Sequence, residues 1–543
     1  MKNCKNCTTE FEIAEQDRKY YEKINVPEPT HCPTCRQQRR YAIRNERNLY
    51  KRKCGMCNKE LVSMYSPDKP FPIYCPSCWW EGDWHGTSYA QEFDFSRPFF
   101  DQFRDLQNKV PRISLYLVNS ENCDYCNFVG DCKNCYLTFG SVYSEDCLYG
   151  SAYYSKNCMD NLVTRECELC YECTDSRKLY NCLYCQDCYH SDHLLFCYDL
   201  QGCSECIACA GLRNKKYHIE NKPYSKEEYE AIKSKINFCS SKQLEGVHEQ
   251  LKKMKLEIPH HFMPNSNVQN VSGTHIYNSK NTHHSFYVDR CEDCAYCMQV
   301  VDLKDCYDNN YTEENELCYE YLGMYGAKNT FYSTFSRHSY DVFYSEYTIN
   351  AKNLFGCSNI HKKDFCILNK PYSEEEYKEL VPKIIDHMKE AGEWGEFFPI
   401  SHSPFAYNET VAQEYFPMEK GGATGKGYKW KDPDQKECQP QTTEVPVEIK
   451  DVQDSILNEV LACSDCKKNY KIISQELKFY RNIHLPIPKK CPDCRHKNRL
   501  SLRNPRKLFS RQCNKCNTDI QTTYAPDRPE KVYCEKCYHE SVY

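Results

Sequence analysis

From Asn270 to Cys366 every twelfth residue is drawn from one small set: Asn270, Thr282, Cys294, Cys306, Cys318, Thr330, Val342, Leu354 and Cys366. Asn or Asp stands immediately before six of them, at Asn281, Asp293, Asp305, Asn329, Asp341 and Asn353. The same spacing fits Cys123, Cys135, Cys147, Cys158, Cys170, Cys182, Leu194, Cys206 and His218, with one step of eleven between Cys147 and Cys158. From Cys158 onward the two runs superpose at an offset of 148, which lays Asn221–Ser225 over an identical Asn369–Ser373. So short a period is a strong constraint. Each repeat can bury its inner face only against the repeats before and after it, so the chain must build two stacked, quasi-one-dimensional modules.

Twelve residues are too few for a helix pair. Asn and Asp tolerate left-handed corners, and aromatic and β-branched residues suit a pleated surface, so each repeat reads as short strands joined by turns. The expected fold is mainly β and multidomain, with two parallel β-solenoid modules of 12-residue repeats. Whether twelve residues close a coil or make half of a 24-residue coil is open at this stage. The 45 Tyr and 24 Phe favour the wider coil, because a narrow one has no room for them inside. Each module runs into a capping box, Ser225-x2-Glu228 and Ser373-x2-Glu376, that starts a capping helix.

The 41 cysteines divide into two populations. Four C-x2-C pairs, Cys4/Cys7, Cys32/Cys35, Cys54/Cys57 and Cys75/Cys78, open the chain, and Cys463/Cys466, Cys491/Cys494, Cys513/Cys516 and Cys534/Cys537 repeat all eight at a constant offset of 459. Two thiolates two residues apart face one ion from a tight turn, and two such turns supply the four sulfurs of a closed structural Zn²⁺ site. The expectation is four structural zinc ions per chain, in paired treble-clef or zinc-ribbon modules at both termini. Arg36 matches Arg495, Arg44-Asn45 matches Arg503-Asn504, and Tyr65-Ser-Pro-Asp68 matches Tyr524-Ala-Pro-Asp527 at the same offset. In the middle, triple thiols such as Cys167/Cys170/Cys173, Cys182/Cys185/Cys188, Cys203/Cys206/Cys209 and Cys291/Cys294/Cys297 lack the further C-P of a ferredoxin run. Thr282 and Thr330 stand where module one has Cys135 and Cys182. A required metal ligand would not be exchanged for Thr, whereas a small group in a stacked row can be.

Cys4-x2-Cys7 followed by Phe11, Glu15-Gln16, Tyr20-Tyr21 and Cys32-Pro-x-Cys35-Arg36 resembles the probable zinc-ribbon domain family. Tyr524-Ala-Pro-Asp-Arg-Pro529 with Tyr533-Cys534-x2-Cys537-Tyr538 looks like the small C-x2-C ribbons of the same proteins. The layout is similar to uncharacterised, cysteine-rich zinc-ribbon proteins of small-genome bacteria. That resemblance implies zinc and implies no activity.

Charge is unevenly spread: residues 1–80 carry 15 Lys+Arg against 9 Asp+Glu, residues 461–540 carry 18 against 8, and the whole chain is −5, so the middle is acidic. Between the two ribbons of each pair runs a basic stripe, Arg36 to Lys53 at one end and Arg495 to Gln512 at the other. Such a stripe is a candidate phosphate-binding surface made of Arg36, Arg39, Arg40, Arg44, Arg47, Arg495, Arg499, Arg503, Arg506, Lys507 and Arg511. The competing reading is that these cations shield the negative four-thiolate centres.

The organisation read from these features is paired ribbons over 1–80, a connector and capping helix over 81–112, solenoid module one with its helix over 113–238, and a helical linker over 239–265. Module two with its helix comes next over 266–390, then an aromatic and Gly/Pro-rich linker and helix over 391–460, and paired ribbons over 461–543. In the connector, Phe99, Phe103, Leu106 and Val110 share a helical face expected to cap the first coil of module one, with Trp79, Trp80 and Trp84 packing the ribbon onto its neighbour in the chain. No apolar run approaches the roughly 20 residues of a membrane helix, and Met1-Lys-Asn-Cys4 opens no signal segment, so a cytoplasmic protein without membrane partners is expected. No H-E-x2-H or G-x-S-x-G occurs, and Gly427 rather than Ser or Thr comes after Lys426 in the one P-loop-like run. The sequence therefore reads as a non-enzymatic scaffold whose ribbons dock on nucleic acid or a ribonucleoprotein, spaced by the solenoid. A protein-interaction or self-assembling scaffold is the alternative, and a redox or metal-storage protein using the central thiol rows is a second one.

Overall fold

The computed structural model describes residues 1–236, 238, 241–432 and 438–542. Cys239 and the first part of the expected Pro433–Pro446 linker lie outside them. The fold is mainly β, and both repeat runs are β-solenoids. The chain divides into two compact units: Met1–Tyr116 with Met263–Asp432, and the described residues of Leu117–Phe262 with Pro433–Tyr543.

In both modules the strands pair in parallel with the residue twelve positions on. Thr282 pairs with Cys294, Cys318 with Thr330, Leu354 with Cys366, Leu194 with Cys206 and Cys206 with His218. A coil is therefore twelve residues, and the expectation of a wider coil is overturned. Every third residue, such as Asp302, Asp305, Asp308, Tyr311 and Glu314, takes a positive φ between 52° and 57°. Each coil thus has four corners, and only the residue after each corner points inward. The step of eleven in the sequence is spent on one corner: positive φ skips from Tyr149 to Tyr154, and Leu148 pairs with Met159.

Four inward positions per coil leave space for small side chains, and Cys fills them because it can also donate a hydrogen bond. Cys170 Sγ donates to Glu168 O at 3.3 Å and Cys182 Sγ to Tyr180 O at 3.3 Å. Ser176 Oγ makes the same bond to Thr174 O at 2.9 Å and accepts the Cys188 amide of the next coil. Thr282 and Thr330 likewise donate to the carbonyl two residues back. Cys, Ser and Thr are interchangeable here because all three are small donors that satisfy a buried turn carbonyl. The aromatic rows lie mostly outside the coil, which is why a narrow coil accommodates them; Tyr321, inside module two, is an exception that reaches Ser336 O.

Both capping boxes form, with Ser225 and Ser373 accepting the Glu228 and Glu376 amides at 3.2 Å. Tyr229, fully buried, seats the helix Lys226–Lys233 against Ile207 and Ile219. The helix expected in the 239–265 linker is Ser241–Glu257, with Leu244 and Leu251 buried in its unit's core.

The connector helix, Phe99–Gln107, does not cap module one. It packs in the first unit against module two, Phe99 lying 5.4 Å from Tyr344 and 5.5 Å from Phe355, with Phe103 stacked on Phe398 at 5.0 Å. Glu393 accepts the Phe99 and Phe100 amides, supplying the helix start with the acceptors it lacks. Adjacency in sequence suggested module one; the aromatic rows of module two offer the better-matched surface. Residues 391–432, read as linker, are folded onto the N-terminal ribbons, with Phe397 and Tyr407 each 1% exposed.

Candidate metal centres and arginine docks

Each ribbon is a short antiparallel hairpin followed by a helix. In the first, Lys2–Asn3 pairs with Glu10–Phe11 and carries Cys4 and Cys7 in its turn, and the helix Pro33–Tyr41 starts directly after Cys32. Pro33 at the first helical position fixes the start and leaves Cys35 one turn on, so Cys32 and Cys35 face the hairpin thiols. Tyr50–Lys53 with Glu60–Ser63, then Pro76–Glu81, repeats the plan around Cys54, Cys57, Cys75 and Cys78. The C-terminal pair repeats it again, with the helix Pro492–Ser501 after Cys491 and Glu535–Val542 after Cys534.

All sixteen expected ligands come together in four sets of four, with their sulfurs within 4.8 Å of one another. The Cys7–Cys32, Cys466–Cys491 and Cys516–Cys534 sulfurs stand 3.7 Å apart and Cys57–Cys75 3.9 Å. Four sulfurs about 2.3 Å from one tetrahedral ion would stand about 3.8 Å apart, so the sets match such an ion. The amides of Cys32, Cys75, Cys491 and Cys534 donate to the first sulfur of their sets at 3.2–3.3 Å. Hydrogen bonding from Cys35 pulls Cys32 down to about 5, and Thr518 pulls Cys516 down to about 6, while burial and the Cys516 thiol push Cys537 up to about 12. Four thiols this close cannot all ionise without a cation between them, which is the property of a metal site. Among the described residues, all-thiol sets of this kind occur only in the ribbons.

The basic stripes are not solvated surfaces. In the first unit Arg36, Arg39, Arg40 and Arg44 are buried. Arg36 Nε donates to Asp308 at 2.8 Å. Arg40 reaches Asp308 at 2.9 Å, Asn310 at 2.6 Å and Glu320 at 2.6 Å, and Arg39 joins Glu320 at 2.7 Å to Glu396 at 3.0 Å. Arg44 lies over Tyr311 and donates to Glu46, and Arg47 pairs with Glu414 at 3.7 Å. In the second unit Arg495 pairs with Asp160 and Glu476, Arg499 with Asp160 and Glu172, and Arg503 with Asp175, all at 2.9–3.2 Å. Arg511 donates to the Ala525 and Glu530 carbonyls, Arg506 is half-buried, and Lys507 is exposed. Assignment of the buried arginines as phosphate ligands is therefore corrected: Arg36, Arg39, Arg40, Arg495, Arg499 and Arg503 are paired with solenoid carboxylates and Arg44 with Glu46, and exposing them would strand those carboxylates.

The two docks correspond residue by residue. Asp160 and Glu172 fall on Asp308 and Glu320 at the offset of 148. Tyr149 and Tyr296, equivalent at an offset of 147 because Tyr149 precedes the residue missing from the eleven-residue step, lie under Arg495 and Arg36 at 4.8 and 5.1 Å. Each tyrosine hydroxyl donates at 2.8 Å to an acid of the helix between hairpin and second thiol pair, Glu476 in Ser474–Asn482 or Asp17 in Glu15–Lys23. Tyr21 meets Tyr319 at 5.3 Å, as its counterpart Tyr480 meets Tyr171 at 5.7 Å, and in the first unit Tyr20 also stacks on Tyr307 at 3.8 Å. Aromatic burial supplies the contact free energy, while the ion pairs fix where the helix sits. Arginines four apart on a helix are offset by about 6 Å and coils by about 4.8 Å, so Arg36 and Arg40, like Arg495 and Arg499, reach the acids of two adjacent coils, while Arg44 and Arg503 come just after the helix ends. Sequence reasoning missed these carboxylates; the available signal was a pair of acids twelve apart at equivalent places in both modules.

Among the described residues no helix is long and apolar enough to cross a membrane. No family model and no curated protein matches the chain. Among solved structures, a candidate acetyltransferase from Desulfovibrio desulfuricans G20 is similar at 9% identity over 49% of this chain and 69% of that one, with a TM-score of 0.09, too low to carry an argument about fold or function.

Proposed function

We propose that the protein is a non-enzymatic architectural scaffold in the cytoplasm, in which four structural zinc ions shape the ribbons and each ribbon pair clamps a solenoid module. Its partners on this reading are proteins, including further copies of itself. The observation that carries this is the fate of the arginines: at least seven of the eleven candidate phosphate ligands are buried in the docks or held by solenoid carboxylates. Zinc is the metal the donor set favours, since four thiolates in closed tetrahedral arrangement leave no position for water or substrate. The central thiols support a packing role over redox or storage, because Cys170, Cys182, Cys185, Cys294 and Cys306 are each at most 1% exposed and donate to backbone carbonyls.

The test is a pull-down with the full chain from its own cytoplasm, with and without nuclease, alongside elemental analysis. Protein partners that survive nuclease, with four zinc ions per chain, support the scaffold. Partners lost on nuclease treatment return the assignment to nucleic acid. On that second reading the exposed Lys507 is the remaining contact, and Lys507→Glu should weaken binding and flatten its salt dependence.

A further inference from the structure

Within the first unit, the segment Lys69–Phe71, the helix Phe99–Gln107 with Asn108, the stretch His402–Pro404 and Lys429 enclose a pocket of about 140 Å³. No Asp or Glu lines it, whereas Lys69, Arg104, Arg112 and Lys429 all do. Asp68 pairs with Lys69 at 3.0 Å and Glu346 with Arg112, so among the described residues Arg104 and Lys429 are the lining cations left without a carboxylate, and an anion between them would offset their repulsion. Arg112 is 2% exposed, and although its terminal nitrogens face Glu346, its buried Nε–H has no acceptor. The same holds for Nε of Arg39, Arg495 and Arg499 in the docks, but Arg112, stacked over Phe71 at 4.7 Å, is the one whose side chain lines this pocket. Arg104 is exposed and makes no ion pair among the described residues, while Lys429 donates only to the Ser403 carbonyl at 2.7 Å. Burial, with the nearby charges of Arg104 and Lys69 and against that of Asp68, lowers Lys429 to about 8, so an anion would restore its proton.

We infer that this pocket binds a small oxyanion of the phosphate class, gripped at the mouth by Arg104, Lys69 and Lys429 with Arg112 in the wall. Guanidinium forks match the paired oxygens of phosphate, and the lysine ammonium groups add point charge. Asn108 and His402 offer further polar groups at the rim. The volume suits one phosphate group, supplied by the free ion or by a phosphomonoester that leaves its organic part outside. This inference stands apart from the scaffold reading.

Calorimetric titration of the full chain with inorganic phosphate and with glycerol 3-phosphate, against sodium chloride, tests it. One saturable site per chain is expected, weakened at least tenfold in the double variant Arg104→Glu/Lys429→Glu, with metal content and melting unchanged. Binding should also weaken as pH rises through 8, where Lys429, facing Arg104, Lys69, Asp68 and His402, loses its proton. Lys429→Met should remove that pH step while keeping the fold. Tighter binding of phosphate identifies the free ion as occupant, and tighter binding of the ester identifies a phosphomonoester. No saturable binding of either, or affinity unchanged in the double variant, overturns the proposal.

Discussion

On the N-terminal dock Glu320 is gripped by both Arg39 and Arg40, whereas its C-terminal counterpart Glu172 has Arg499 alone, because Asn498 stands where the offset of 459 sets Arg39. The first unit adds a further layer. Glu396, from the folded stretch 391–432, takes Lys5, Thr30 and Arg39, and Glu409 takes Tyr50. The consequence is electrostatic. Burial and neighbouring Asp160 push Glu172 up to about 7 against the pull of Arg499, while Arg39 and Arg40 hold Glu320 below the usual carboxylate range despite its burial. One duplicated dock has become two with opposite responses to pH, which teaches that the duplicated arginines set the geometry and the unshared residues set the charge balance.

The largest test removes what the docks have in common. On the zinc reading proposed above, chelation should unfold all four ribbons, since a structural zinc contributes about 10–16 kcal/mol of folding free energy, and hydrogen exchange should then report fast amides in Pro33–Tyr41 and Pro492–Ser501 together. Slow exchange in either helix after complete metal removal would separate that dock from metal. Next, Arg40→Ala and Arg499→Ala each leave buried carboxylates unpaired and should cost about 3–5 kcal/mol. Exchange should accelerate in the first unit for Arg40→Ala and in the second for Arg499→Ala, each arginine serving three partners: Asp308, Asn310 and Glu320 for Arg40, and Asp160, Glu172 and the Tyr149 carbonyl for Arg499. Crossed effects would break the assignment of ribbons to modules.

A smaller effect concerns pH. Glu172 is raised from the ordinary 4.5 to about 7, so its contribution is fully present below about 4.5 and is lost as pH rises through 7. Local stability of the second dock should therefore fall by up to about 3 kcal/mol between pH 5 and 8, and Glu172→Gln should level that slope. Glu320 works the other way: its contribution is present at neutral pH and lost on acidification below its depressed value. The smallest effect is expected for Cys182→Ser, within about 1 kcal/mol and with metal content unchanged, because Ser keeps the bond to Tyr180 O. Loss of a metal ion from that variant would assign the thiol rows a metal role.

The sequence alone determined the parts whose logic is local. A ladder in which residue i meets residue i+12 must print its period, C-x2-C pairs carry their ligand geometry within one turn, and Ser-x2-Glu closes on itself. Those features gave the solenoid, the Cys₄ sets and the helix starts by residue number. Only tertiary structure decided the width of the coil, since whether a tyrosine faces in or out depends on which corner it occupies. It also decided the partner of each ribbon, because both modules carry equivalent acids and chain order cannot choose between them. The arginines depend on that choice: their positive charge is legible along the chain, but whether it meets water, phosphate or a buried Asp308 depends on what folds against it.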